Sequence, residues 1–414
     1  MTALLGIKPG ALEGIRVIEV ASLYTQYSGK MLAELGAEVI LVEPPRGSVN
    51  RAVPPFIDQQ PGLDNSLAYN YFNTSKQGIT LDLSNPKGRD LFLRLAGKAD
   101  LVLEGEKPGV MKGWGCGYEA LSRIHPAIVM TSITGFGQSG PWSQYETEDL
   151  VALATGGFLY LGGFPDAPPV GAYGNQAYLG AAMYGAVASL LALTNGEATG
   201  QGEYIDVSMQ ESMVMALENA VQFYDLEGKI KKRHAWEQRW AGTAVFECKD
   251  GYIYMMASGI GANKFWPLTL QWLIDEKMPG VERLMGEEWH REEYVITSEA
   301  KQIFAEIFSP WVKTQKKRYL FEEGQRRHIP MAAINSVADL LSSPQLAYRN
   351  FFIDMPHPAT GRTLRMPGPP YQLSGTPWRS QGPAPRLGQH NAGIYGGIGI
   401  TADELATLAD EGVV

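Results

Sequence analysis

The chain has 414 residues, 45% hydrophobic and 19% charged, a composition that suits a folded globular protein and excludes a disordered one, at a length that exceeds a single compact core. A formal net charge of −9 at pH 7 argues against nucleic acid as the main partner. Two distant cysteines, Cys116 and Cys248, and six scattered histidines exclude a disulfide framework and give no zinc-ligand spacing.

The first residues lack a basic segment followed by an apolar one, so no secretory signal is expected. Ile15–Ala21 is an apolar run of strand length, and Tyr24–Leu35 carries helical spacing closed by Gly36. Ala37–Glu43 is a second strand, stopped by Pro44-Pro45. The alternation continues with a strand at Thr80–Leu83, a helix at Pro86–Lys98, a strand at Ala99–Leu103, a helix at Tyr118–Ile124 and a strand at Ala127–Ile133. Such alternation with apolar strands predicts a parallel sheet covered on both faces. Glu43 stands where a ribose-binding acid sits in dinucleotide folds, but the turn Ser22–Gly29 contains no G-x-G-x-x-G, which argues against a nicotinamide cofactor.

Ala167–Gly196 contains no carboxylate, and Ala177–Leu193 contains no charge at all. The uncharged run is shorter than the roughly 20 residues that span a bilayer, and it is rich in Ala, Gly and Ser. A tightly packed buried helix is expected, in a cytoplasmic protein with no membrane contact.

Asp225–Gly242 is polar and irregular. Thr243–Cys248 and Tyr252–Ala257 flank Lys249-Asp250-Gly251, a hairpin signal. Helices are expected near Ala262–Asp275, Ser298–Val312 and Gln315–Arg326. The basic runs Lys229–Arg233 and Lys316–Arg318 are expected to be solvated surface. Trp236, Trp240, Phe265 and Trp266 are expected to pack in a core rather than line a pocket. Proline-rich loops follow Ile329, and a last helix at Thr401–Asp410 is expected to dock on the first domain. The organisation expected is a large domain over residues 1–200, a linker helix over 201–224, a small α+β domain over 225–330, and a linker with a C-terminal return over 331–414.

Ten short segments in order carry a family resemblance: Leu12–Glu19, Leu35–Ile40 with Glu43-Pro44, Asn73–Leu83, Ala99–Leu103, Pro108-Gly109, Thr134–Pro141, Glu148–Leu150 leading to Gly156-Gly157, Thr199–Gly202, Asp206–Glu211 and Leu387–His390. Together they resemble the type III CoA-transferases, the CaiB/BaiF family. The resemblance implies an α/β fold with a Rossmann-like large domain, a smaller α+β domain and long linkers. It also implies two chains threaded through each other like linked rings. The substrate it implies is a CoA thioester, with no permanently bound cofactor.

In that family an aspartate opening the Ala-rich helix is the nucleophile. Its position, measured back from the Thr199-Gly200 turn, falls on Tyr178, or with a three-residue shift on Asn175. An amide has no anionic oxygen to acylate, and a phenol with a pKa near 10 is largely protonated. The neighbouring acids are Asp166 and the pair Glu148-Asp149, of which Asp149 suits a helix start. The CoA-facing segments have changed as well. Ser22 and Thr25-Gln26-Tyr27 stand where relatives carry a basic residue and an Ala-Gly-Pro turn, and Leu41 replaces a lysine. Gly105–Gly109 reads GEKPG, placing Glu106 where it would repel a polyphosphate by about 1 kcal/mol. The cofactor-facing candidates that remain are Ser22, Tyr24, Lys107, Gly259 and Gly261. The two glycines suit either the family's glycine loop or a plain hairpin-to-helix connection.

The expectation is therefore a non-catalytic chain of a heteromeric transferase, paired as a heterodimer or heterotetramer with a homologous subunit that keeps the aspartate. Two alternatives stay open. One is an active homodimer using Asp149, Asp166 or direct ternary transfer. The other is a related lyase, hydratase or racemase, disfavoured because Thr147-Glu148-Asp149 stands where racemases of this superfamily carry Gly-His-Asp.

Overall fold

The computed structural model describes residues 9–258 and 263–414. Six strands form one parallel sheet: β1 (Arg16–Val20), β2 (Glu38–Glu43), β3 (Gln77–Thr80), β4 (Leu101–Glu104), β5 (Val129–Thr134) and β6 (Tyr204–Ser208), in the order β3-β2-β1-β4-β5-β6. The strands are apolar on both sides because helices cover both faces. Val17, Val39, Leu101, Leu103 and Val129 pack on one side with Ala192 of the Gln176–Thr199 helix. Ile18, Ile40, Val102 and Met130 pack on the other with Leu91, Phe92 and Leu121. Connections run outward from β1 through β2 to β3, then cross to β4, so the order reverses between β1 and β4. In open α/β sheets such a reversal opens a crevice at the carboxyl ends of the two strands, where ligands bind.

Residues 201–224, expected as a linker helix beyond a turn and a strand, hold β6 and two short helices, Met209–Met215 and Ala220–Glu227, the second running on past 224. Tyr204-Ile205-Asp206-Val207-Ser208 pairs with Met130–Thr134, as its aromatic and β-branched residues favour. The third strand also sits earlier than expected, at Gln77–Thr80, where it pairs with Ile40–Glu43.

The chain divides into two compact units. One is built from residues up to 159, 171–229 and 348–414, the other from 160–170 and 230–347. In the second unit β7 (Thr243–Cys248), β8 (Gly251–Met256) and β9 (Met331–Ile334) form an antiparallel sheet. Its core holds Trp266, Trp272, Trp289, Phe304 and Phe308, with the rings of Trp266 and Trp289 stacked at 4.9 Å. Trp266 is thus core, as expected, and Trp240 packs against it from the margin. Arg233 was expected to be solvated, yet its guanidinium donates to the carbonyls of Tyr160, Phe164 and Ala167. Those three bonds tie the 160–170 segment into this unit.

The tail returns to the first unit through the ribbon β10 (Phe352–Pro356) and β11 (Thr363–Pro367). The indole N–H of Trp378 then donates to Glu34 Oε2 at 2.7 Å, and the Pro385 carbonyl accepts from both Arg51 and Tyr69 at 3.0 Å. Asn391 makes two side-chain bonds to Thr80. The Ala402–Asp410 helix opens with a capping box between Thr401 and Glu404. Leu405 and Leu408 pack on the large core, and Val413 is buried in it.

Candidate active site

The loops after β1 and β4 meet at the reversal, where Gly105 lies against Ser22 and Tyr24. After β1, Ser22 Oγ accepts the Tyr24 N–H at 3.2 Å, the Ser22 carbonyl accepts from Asn50 at 3.0 Å, and Thr25 donates to the buried Glu19. Glu19 is itself paired with the fully buried Lys76 at 2.6 Å. After β4, the Glu106 N–H donates to Glu104 Oε2 at 2.7 Å. Gly105 meets the first loop directly. A Cβ there would lie 2.4 Å from Ser22 Oγ and 3.2 Å from the Tyr24 ring, so only glycine fits. Leu41, where the family resemblance implied a lysine, is fully buried with Tyr69 and Ala384.

The Ala-rich helix spans Gln176–Thr199. With a mean hydropathy of 1.5 over its most apolar window it is long and apolar enough to cross a membrane by composition, yet small residues bring it against the sheet and the first helix. Ser28 Oγ donates to the Ala182 carbonyl at 2.6 Å, and Ser189 shares a hydrogen bond with Thr131 at 2.7 Å. Its other face exposes Met183, Tyr184, Val187 and Leu191.

Asn175 is the N-cap residue of this helix, and its side chain makes no capping bond. Tyr178 lies in the first turn, 8% exposed, its ring edge-on to Tyr24 with centroids 5.0 Å apart. A carboxylate nevertheless stands at the helix start. Asp149 Oδ1 accepts the N–H groups of Ala177 at 2.7 Å and Tyr178 at 3.2 Å. Asp149 opens its own helix, Asp149–Thr155, and in addition closes the next one. Burial pushes its carboxyl above the usual aspartate value, against the opposing pull of the Tyr178, Ala177 and Gln176 N–H groups. Asn175 is itself a good capping type, so nothing local in the sequence signalled that these donors would be taken by a residue so far upstream.

The remaining candidates separate. Lys107 is exposed, and its ammonium is already paired with the Glu146 carboxylate, which compensates the charge offered to a phosphate. Asp166 belongs to the second compact unit. Gly259 and Gly261 lie outside the described residues.

Sequence reasoning passed over Glu104. Its carboxyl is nearly fully buried on the floor of a cavity of about 240 Å³ walled by Met111, Tyr118, Met130 and Tyr204. Burial raises it to about 7, with Ser132 and the Glu106 N–H pulling the other way. Among the described residues no cluster of His, Cys, Asp and Glu is placed to hold a metal ion.

Residues 12–391 match the family model described as CoA-transferase family III. Over 401 residues the chain is 38% identical to the succinyl-CoA:(R)-benzylsuccinate CoA-transferase subunit BbsE of Thauera aromatica, covering 96% of this chain and 97% of that one. It is 28% identical over 411 residues to the succinyl-CoA–L-malate CoA-transferase beta subunit of Chloroflexus aurantiacus, covering 97% and 98%. Among solved structures, a CaiB/BaiF family protein from Brucella suis superposes with a TM-score of 0.82 at 28% identity, covering 94% of this chain and all of that one. The match across nearly the whole length, on a parallel sheet whose order reverses beside β1, places this chain in CoA-transferase family III.

Proposed function

We propose that this chain is the non-catalytic subunit of a heteromeric, cytoplasmic CoA-transferase. The complex would move CoA from a donor such as succinyl-CoA to an organic acid, with the CoA thioester as substrate and no resident cofactor. One observation carries the reading. The start of the Ala-rich helix presents Asn175 and Tyr178, and the helix N–H groups there are already occupied by Asp149.

A homologous partner that keeps the aspartate would do the chemistry. Its carboxylate attacks the donor thioester, forming a mixed anhydride and releasing CoA thiolate. The thiolate attacks the aspartyl carbonyl, the donor acid leaves, and an aspartyl-CoA thioester remains. The acceptor carboxylate then repeats the exchange and departs as its CoA thioester, freeing the aspartate. That a 38% identical relative is a subunit supports a two-chain assembly, and its substrate, (R)-benzylsuccinate, suggests an aromatic-substituted dicarboxylate as acceptor. The exposed apolar face at Met183, Tyr184, Val187 and Leu191 is the kind of surface a partner chain covers.

The deciding experiment compares the chain alone with the chain co-expressed with a paralogue carrying the aspartate. Transferase activity is expected only from the pair, and trapping with hydroxylamine after acyl-CoA should label the partner alone. A soluble homodimer of this chain with full activity would refute the proposal. One rival has a specific observation behind it: Asp149 could be the nucleophile, since it is a carboxylate at the helix start. That rival requires an acyl adduct on Asp149.

A further inference from the structure

The crevice beside β1 is closed from within this chain, and we infer that Tyr24 is the residue that denies it to a CoA thioester, so that the complex holds its CoA against the partner alone. The inference rests on the heteromeric reading above and adds the determinant. Tyr24 ties three segments together at the carboxyl ends of the strands. Its backbone N–H is held by Ser22, its ring contacts Tyr178 at the head of the Ala-rich helix, and its hydroxyl donates to the Thr147 carbonyl at 3.0 Å. Thr147 in turn packs directly on Gly135, where a Cβ would lie 2.1 Å from its hydroxyl. On the β4 side, Gly105 has no room even for a methyl group against Ser22 and Tyr24. The two loops that form a ligand crevice at such a reversal are therefore in van der Waals contact.

Charge points the same way. Glu106, Glu146 and Glu148 lie close enough to Tyr24 that all three disfavour its phenolate, after burial itself. Lys107 is paired with Glu146 and Lys112 with Glu119. A diphosphate approaching this mouth would meet carboxylates over a filled floor.

The test counts CoA molecules bound per assembled heteromer, by titration calorimetry with CoA as the probe. The wild-type complex should bind one CoA per pair of unlike chains. Tyr24→Ala, and the milder Tyr24→Leu, should add a second, weaker site. Two CoA per wild-type pair would overturn the inference, as would an unchanged stoichiometry in variants that melt as the wild type does. If Tyr24→Ala fails to fold, the wild-type count and Tyr24→Leu still decide. Saturable CoA binding to this chain without an acyl adduct would sink the role of Tyr24 and leave the non-catalytic reading standing. An adduct on this chain would sink that reading itself.

Discussion

Glu104 shows how one buried side chain couples folding to pH. Its carboxyl titrates near 7 in the folded chain against an ordinary value of 4.5, so the native state keeps a proton that the unfolded chain gives up. Stability should fall as pH rises from about 4.5 through 7, with the whole penalty present above that, on the order of 3 kcal/mol. Glu104→Gln should unfold at the same urea concentration as wild type at pH 4, and at a higher one at pH 8. Equal midpoints at both would contradict the assignment. Asp149 offers a second test, because its carboxylate accepts the helix N–H groups of Ala177 and Tyr178. Asp149→Ala should cost about 1 kcal/mol of stability, the usual worth of a cap. Transferase activity of the assembled complex should survive below the melting point; a complete loss at unchanged melting temperature would favour Asp149 as nucleophile.

At the scale of elements, close backbone approach decides what the sheet tolerates. Gly202, just before β6, has the Ile128 carbonyl oxygen where its Cβ would be, at 1.9 Å. Gly202→Ala has no flexible side chain to push aside, so it should lower stability by roughly 1–3 kcal/mol, read as a drop in thermal midpoint. The Thr-Gly-Gln-Gly segment was legible as a turn, but the need for its second glycine lies in the residue just before β5, some seventy positions earlier. The same contrast runs through the fold. Strands and helices with strong periodicity, such as β1, β2, the β7–β8 hairpin and the Ser298–Val312 helix, fall within a residue or two of their expected bounds. The small, polar Gln77–Thr80 strand was misplaced because tertiary pairing with β2, rather than its own pattern, makes it a strand. At the site, the lack of any carboxylate between Ala167 and Gly196 was visible in the residue types alone. The capping by Asp149 and the closure by Tyr24 were not, because both are contacts across more than twenty residues.

The whole first unit depends on its last segment. Trp378 satisfies Glu34, Pro385 satisfies Arg51 and Tyr69, and Asn391 satisfies Thr80. Glu34 is ion-paired with Lys30, and Arg51 with Glu43, all four nearly inaccessible, and breaking such buried networks is costly. Removing residues 375–414 should therefore abolish cooperative unfolding by circular dichroism, whereas Trp378→Phe should leave a folded protein weakened by about 1–3 kcal/mol. The strap has a further consequence in the cell. Strands β1 to β3 emerge from the ribosome first, but the residues that complete their surroundings are made some 300 positions later, about 15–60 s at ordinary synthesis rates of roughly 5–20 residues per second. Through that interval the nascent N-terminal half must remain half-made. Yield should therefore respond to chaperone supply and translation speed more sharply than the stability of the finished protein would suggest.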